Sequence, residues 1–341
     1  FVLRVGACAR GGGKKRSRGG AKGVGSAAIM PRGFFTSCVT VLFDELPSLD
    51  AVRDVLSDFE IVGEQTGDEP TWFLGFPELV IDYRPELHGR VTVERIDRTW
   101  PDGMGDPTTE IDVFSAWSMG AFGPGAFPGN LERAMQQAVS WDDDPEPTVE
   151  RHTGMLRVRT SYVMGAGEDA PVVPEGADLV DELTFVANLA AALCRLPGAL
   201  AFFSPSAELL LEPEELQRRV IEADERDVPP LDTFTHVRMM NVGEAPGWSL
   251  MDTVGADQVF LPDQEAVFAQ DVDPNEIAAF LMDVVFYLLE QGEVVKDGDT
   301  IEGPGGVWRA RLRDEALVAP PRRTMRWSRV GAKVPRVFDA G

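Results

Sequence analysis

The chain of 341 residues is short of the side chains that carry much of enzyme chemistry. It has three cysteines and three histidines. Cys8, Cys38 and Cys194 are odd in number, far apart and form no CxxC pair. That excludes a disulfide framework and fits a reducing compartment. His88, His152 and His236 are equally isolated, so neither a zinc-ligand spacing nor a Cys–His dyad is present. Long hydrophobic runs are also missing. The run 183–203 is broken by Asn188, Arg195 and Pro197, and the run 277–289 falls short of the ~20 residues a bilayer needs. These absences lead us to expect a cytoplasmic protein with no membrane partner, no cofactor, no metal and no catalytic residue that can be named.

What the chain has in excess is negative charge. Its formal balance is −24, unevenly spread. Residues 1–32 hold eight Lys/Arg, eight Gly and no acid. Residues 33–302 hold 15 Lys/Arg against 53 Asp/Glu, a balance of −38. Residues 303–336 return to basic, with nine Lys/Arg against Asp314 and Glu315. The acidic body argues against nucleic acid and anionic lipid as partners, since both call for a basic face. A basic protein is the partner such a body would attract. The first 32 residues read as a basic arm, a targeting peptide or sequence that is not native. A disordered tail or upstream translated sequence is the favoured reading, because too little apolar surface is present to offset chain entropy.

Periodicity places the elements. Residues 35–43 alternate as a strand, and Ser48 with Asp50 opens a helix carrying Val52, Val55, Leu56 and Phe59. Strands are expected at 72–76, 79–83 and 90–96. Residues 101–128 hold much Gly and Pro together with Phe114, Trp117, Phe122 and Phe127, which reads as a loop pinned to a core or covering a site. A helix over 130–141 ends in the acidic run Asp142, Asp143, Asp144. A strand at 151–163, a helix at 178–195, a strand at 199–203 and a helix at 212–223 come next. Strands are expected again at 233–241, 248–254, 258–261, 307–313 and 322–329. The clearest element is the helix Pro274–Gln291, with Asp273 as N-cap and Gly292 as its stop. Its only polar stripe is Glu276, Asp283 and Glu290, so burial on most sides is expected.

The resulting class is α+β: two consecutive units of antiparallel sheet backed by helices, as ferredoxin-like or split β-α-β halves. The expected boundaries are a basic tail at 1–32, a first unit at 33–100, the aromatic insert at 101–128, a second unit at 129–313 and an Arg-rich tail at 314–341.

Two stretches carry a resemblance. They are GWSLMDTVGADQVFLPDQEAVF at 247–268 and EIAAFLMDVVFYLLEQGEVVKDGDTI at 276–301. Together they resemble the bacterial DUF4261 family, a domain of unknown function, most clearly over 236–313. The resemblance implies a soluble bacterial α+β domain of a kind often encoded near toxin, immunity or secretion loci. It supplies no reaction or catalytic residue.

Candidate site residues remain. Asp297, Asp299 and Glu302 flank Gly298 in KDGDTIE and suit either a cation or an Asp-Gly turn leading into a strand. Asp252, Asp257, Asp263 and Glu265 form a second acidic group, expected as edge charges. Trp308 joins Asp252, Asp297, Asp299 and Glu302 in the candidate binding set. His152 is expected to be a hydrogen-bonded structural residue, and Arg309, Arg311 and Arg313 to face the chain's own carboxylates. The function these features suggest is a non-enzymatic interaction, immunity-type or accessory module. The alternative is a carboxylate-based, metal-dependent hydrolase, which requires Asp252, Asp297, Asp299 and Glu302 to converge.

Overall fold

A computed structural model describes residues 33–164, 166 and 169–339; the basic segment 1–32 lies outside them. The chain divides into a larger unit, residues 33–238 with 253–263, and a smaller one, residues 239–252 with 264–339.

The larger unit is built on seven strands: β1 Ser37–Phe43, β2 Ile61–Gln65, β3 Glu78–Asp82, β4 Arg90–Ile96, β5 Gly154–Ser161, β6 Ala199–Ser204 and β7 Leu209–Leu211. Their order across the sheet is β2-β3-β4-β5-β1-β6-β7, and every neighbouring pair is antiparallel. This corrects the expected division into halves at 33–100 and 129–313. Strand β1 lies between β5 and β6, so elements on both sides of the insert share one sheet. Strand character reports a pleated, half-buried environment and does not specify a partner, so the pairing was not readable from periodicity.

The alternation of each strand gives the sheet two faces. On one face Val39, Val41, Leu79, Val91, Val93, Leu156 and Val158 pack under α1 Leu49–Val55, α5 Leu179–Leu193 and α6 Pro213–Glu225. A local signal starts α1 as expected. The Ser48 hydroxyl accepts the Ala51 N–H at 3.2 Å, and the Asp178 carboxylate caps α5 through Val180 and Asp181.

The other face is covered by the insert together with the chain leading from it to β5. This cover holds α2 Ile111–Ser118, α3 Asn130–Gln136 and α4 Glu146–Val149, with their connections. The insert is therefore partly helical where a loop was expected. Its aromatics do pin it. Trp117 and Phe122 have ring centroids 4.2 Å apart, and Trp100 meets Phe122 and Phe203, each at 5.1 Å. Gly123, at φ +104°, shows why glycine is needed there: a Cβ would come 2.9 Å from that of Cys38 on β1. The expected strand at 72–76 is a bent connection carrying Trp72 and Phe76 into the same apolar cluster.

The smaller unit holds most of a six-stranded sheet, β11-β12-β13-β10-β9-β8. The strands are β8 His236–Asn241, β9 Trp248–Val254, β10 Asp263–Ala269, β11 Thr300–Gly303, β12 Gly306–Arg313 and β13 Thr324–Arg329. The expected strand at 258–261 is instead a 3-10 turn, Ala256–Val259, entered through Gly255 at φ +119°. Helix α7 spans Pro274–Gln291 as read, capped by Asp273. It buries one face (Ile277, Phe280, Leu281, Val284, Val285, Leu288), while Met282, Phe286 and Leu289 stay half-exposed. Burial on most sides was too strong an expectation, because an apolar composition does not supply a second packing layer.

Candidate functional site

The residues singled out from the sequence do not converge. Asp252 is on β9, and Asp297 and Asp299 lie in the turn before β11. Glu302 on β11 is four strands from β9, on the order of 19 Å at ~4.8 Å per strand. A shared cation needs ligands within ~2.6 Å of it, so these carboxylates cannot form the proposed metal-dependent hydrolytic centre. Among the described residues, no group of three His, Cys, Asp or Glu side chains is placed to hold a metal ion.

Each candidate has a local explanation. Asp297 accepts the Leu312 N–H at 3.0 Å and Arg311 Nη1 at 3.2 Å. Asp299 accepts the Lys296 N–H at 2.9 Å, and Gly298 between them has φ +89°. This is the turn alternative, closing onto β12 through Gly298 N–H to Ala310 O at 2.9 Å. Glu302 is exposed. Trp308 is completely buried, its ring 5.4 Å from Phe280 and its Nε1–H donating to Pro304 O at 2.9 Å. It is a core residue.

The second acidic group is not a set of edge charges. Asp252, Asp263 and Glu265 are all buried. Asp252 receives Arg322 Nη2 at 2.5 Å. Glu265 receives Arg326 Nε at 2.8 Å, Thr324 Oγ1 at 3.1 Å and the Leu317 N–H at 2.7 Å. Asp263 receives Thr253 Oγ1 at 2.9 Å and the Ala256 N–H at 3.1 Å. Strands β9 and β10 are interior in the sheet, so none of these acids lies on an edge strand. His152 is structural as expected: its Nδ1 lies 2.5 Å from Val149 O, and Nε2 accepts the Trp100 N–H at 2.9 Å. Burial lowers its pKa, which keeps the ring neutral in that role.

The structure brings together a different set of residues, on the insert-covered face of the larger sheet. One registered row runs Gln65, Glu78, Glu94, Arg157, Thr40 across β2, β3, β4, β5 and β1. The next row runs Gly63, Val80, Thr92, Arg159, Cys38. Glu94 is the hub. It receives Arg157 through Nε at 2.8 Å and Nη2 at 2.9 Å, and Arg159 Nη2 at 2.7 Å. The backbone oxygens of Trp72 and Phe73 accept from Arg157 Nη1 and Arg159 Nη2, each at 2.8 Å. The Arg159 guanidinium also stacks 3.7 Å above the Phe35 ring centroid. Burial pushes the Glu94 carboxyl up, but the two guanidiniums outweigh it and hold Glu94 below the ordinary range.

Glu78 stands outside this pairing. Burial and then the Glu94 charge push its carboxyl up to about 7, against the opposing pull of Arg159 and Arg157. The two cysteines among the described residues take no part as nucleophiles, because burial raises Cys38 to about 11 and Cys194 to about 12. A cavity of about 210 Å³ lies over this part of the sheet, lined by Glu78, Val80, Arg90, Thr92, Arg159 and Ser161 with Gln65 and Met164. The alternation of β4 and β5 did place charged residues on one parity. Nothing in the sequence said that this face would be covered, so the strands read as half-exposed.

The raised Glu78 carboxyl has a consequence for stability. The folded chain keeps its proton up to about pH 7, whereas the unfolded chain releases it near the ordinary value of 4.5. Stability therefore declines as pH rises between those values and stays reduced above them. Glu78→Gln is expected to raise stability at pH 8 by about 1–2 kcal/mol, after allowance for solvent screening. At pH 5 it should have little effect. Urea midpoints at the two pH values check this.

A third feature is superficial. The Trp141 Nε1–H donates to Leu210 O at 3.3 Å, holding the acidic run 142–144 against β7, just before α6. Burial, then the charges of Asp142, Glu214, Glu215 and Asp143, raises the Glu212 carboxyl. Glu215 is paired with Arg218 and Arg219. Among the described residues no cation lies within ion-pair distance of Asp142, Asp143, Glu212 or Glu214.

Residues 252–328 match the family model described as Domain of unknown function (DUF4261). That stretch, from the end of β9 through β13, is similar to this domain and agrees with the resemblance read from the sequence. No curated protein and no solved structure matches the chain.

Proposed function

We propose that the protein is a non-enzymatic interaction module of the accessory or immunity type, cytoplasmic, with a basic protein as its partner. The observation that carries this reading is the unneutralised patch of Asp142, Asp143, Glu212 and Glu214, where burial and then the surrounding like charges raise the Glu212 carboxyl. The body's own cations do little to offset it. Arg157, Arg159 and Arg238 are buried in internal ion pairs, and Arg133, Arg218 and Arg219 are also paired within the chain. The remaining outward field is acidic. Such a field speeds encounter with a cationic surface and weakens with salt. Among the described residues no arrangement of nucleophile, base and orienting group accompanies it. Of Arg309, Arg311 and Arg313, Arg311 pairs with Asp297 and Arg309 is exposed, and the acidic balance of the body argues against a nucleic-acid partner.

The test compares the full chain with the variant Asp142→Asn/Asp143→Asn/Glu212→Gln/Glu214→Gln in affinity capture from lysate of the native host. A basic protein retained at low salt, released by about 0.3 M salt and lost with the variant is the expected result. Equal retention by both chains, or none, rejects the proposal.

A further inference from the structure

Three residues that line the cavity over the larger sheet each carry a buried polar atom with no hydrogen-bond partner among the described residues: Glu78 Oε2, Thr92 Oγ1 and Arg159 Nε. They come from three adjacent strands, and their side chains belong to residues 6%, 6% and 1% exposed. Buried polar groups are rarely left unpaired, because each gives up its bonds to water and gains none in return. Those of Glu78 and Thr92 would be satisfied by a ligand in the cavity. Turning Glu78 or Thr92 onto a ligand gives up no existing bond.

The charges select the ligand. Arg157 and Arg159 bring two positive charges beneath the cavity, and Glu94 returns one. Glu78 adds none below about pH 7, where it holds its proton. One positive charge is left over. Arg90 contributes a guanidinium at the lining, with Asp82 as its cross-strand neighbour. Such a site suits one negative charge. A dianion would carry a second, uncompensated charge past Glu94. The volume of about 210 Å³ lies below the ~300–1,000 Å³ of drug-sized sites, so the ligand is small.

We propose that this cavity binds a small organic monocarboxylate through Arg90, the Thr92 hydroxyl and the Glu78 carboxyl, above the buried positive charge of Arg159. The site is independent of the acidic patch and of any protein partner. Ionisation of Glu78 would set a second negative charge against the ligand, so binding takes up a proton and weakens as pH rises. The charged and titratable groups around Glu78 are Glu94 and Arg90 on β4 and Arg157 and Arg159 on β5, with Asp82 on its own strand. Of these Glu94 stays ionised across this pH range.

Propionate is the probe, titrated into the full chain by calorimetry and ligand-observed NMR at pH 6 and pH 8. Propionamide and inorganic phosphate serve as controls. Propionate should bind at pH 6 and weaken about tenfold at pH 8, as expected for loss of a proton with a midpoint near 7. Glu78→Gln should remove the pH dependence while still binding at pH 8. Thr92→Val and Arg90→Gln should each weaken binding at least fivefold, with amide exchange of β4 and β5 unchanged. The proposal is overturned if propionate fails to bind at pH 6 up to about 50 mM. It is equally overturned if propionamide or phosphate binds as tightly, or if both variants bind like the parent chain.

Discussion

Glu94→Ala is expected to destabilise the larger unit by about 3–5 kcal/mol, because it leaves the Arg157 and Arg159 guanidiniums buried side by side without their counter-ion. The loss should exceed that of an ordinary buried hydrogen bond by a factor of two or more. It should appear as faster amide exchange in the β4 and β5 peptides, which together form the centre of the sheet. The companion experiment replaces the whole triad, Glu94→Leu/Arg157→Met/Arg159→Leu. Removing all three charges removes the desolvation cost with them, so this variant is expected to recover at least 2 kcal/mol over the single substitution. It should not bind propionate, since Arg159 is gone. A triad retained for stability alone would be poorly justified by that comparison. A triad retained to present one uncompensated positive charge under a cavity would be well justified. If Glu94→Ala costs less than about 1 kcal/mol, the buried network is not organised as described.

The difference between what was and was not legible comes from the range of the signals. Local signals were sound. Asp273 and Gly292 bracket α7, and Ser48 opens α1, because caps and stops act within one helical turn. The Asp297-Gly298 turn was one of two open alternatives, and the structure takes it. Signals that depend on distant partners were lost. Arg157 and Arg159 alternate with Leu156 and Val158, which reads as a half-solvated strand. The guanidiniums are instead sealed by Trp72, Phe73 and Phe122 from segments more than 30 residues away. Asp252 and Glu265 read as edge charges for the same reason: their cations, Arg322 and Arg326, are more than 60 residues downstream. The Arg-rich C-terminal stretch, read as a tail beyond 313, supplies β13 and these two partners. Charge counted along the chain therefore described the net field well and its pairing poorly. Glu78 carried no signal, since its raised carboxyl depends on the register that sets it opposite Glu94.

Trp308 tests the same distinction in the smaller unit. As a binding residue it would sit at a surface, and Trp308→Ala would spare stability while abolishing recognition. The structure places it wholly within the sheet–helix layer, against Phe280 of α7, whose ring also meets Trp327 of β13 at 5.6 Å. Truncation there removes an indole that no neighbour can replace. It also leaves the Pro304 carbonyl without its donor. The expected cost is about 3–5 kcal/mol, within the range for aromatic-to-alanine changes in a core. Trp308→Phe keeps most of the apolar contact and loses the Nε1–H bond, so about 1–2 kcal/mol is expected. Chemical denaturation and amide exchange of the β12 and β13 peptides give the measurement. The prediction is specific to the smaller unit, so exchange in β4 and β5 should be unchanged. An effect under about 1 kcal/mol for Trp308→Ala would place the indole outside the core and return it to the set of candidate binding residues.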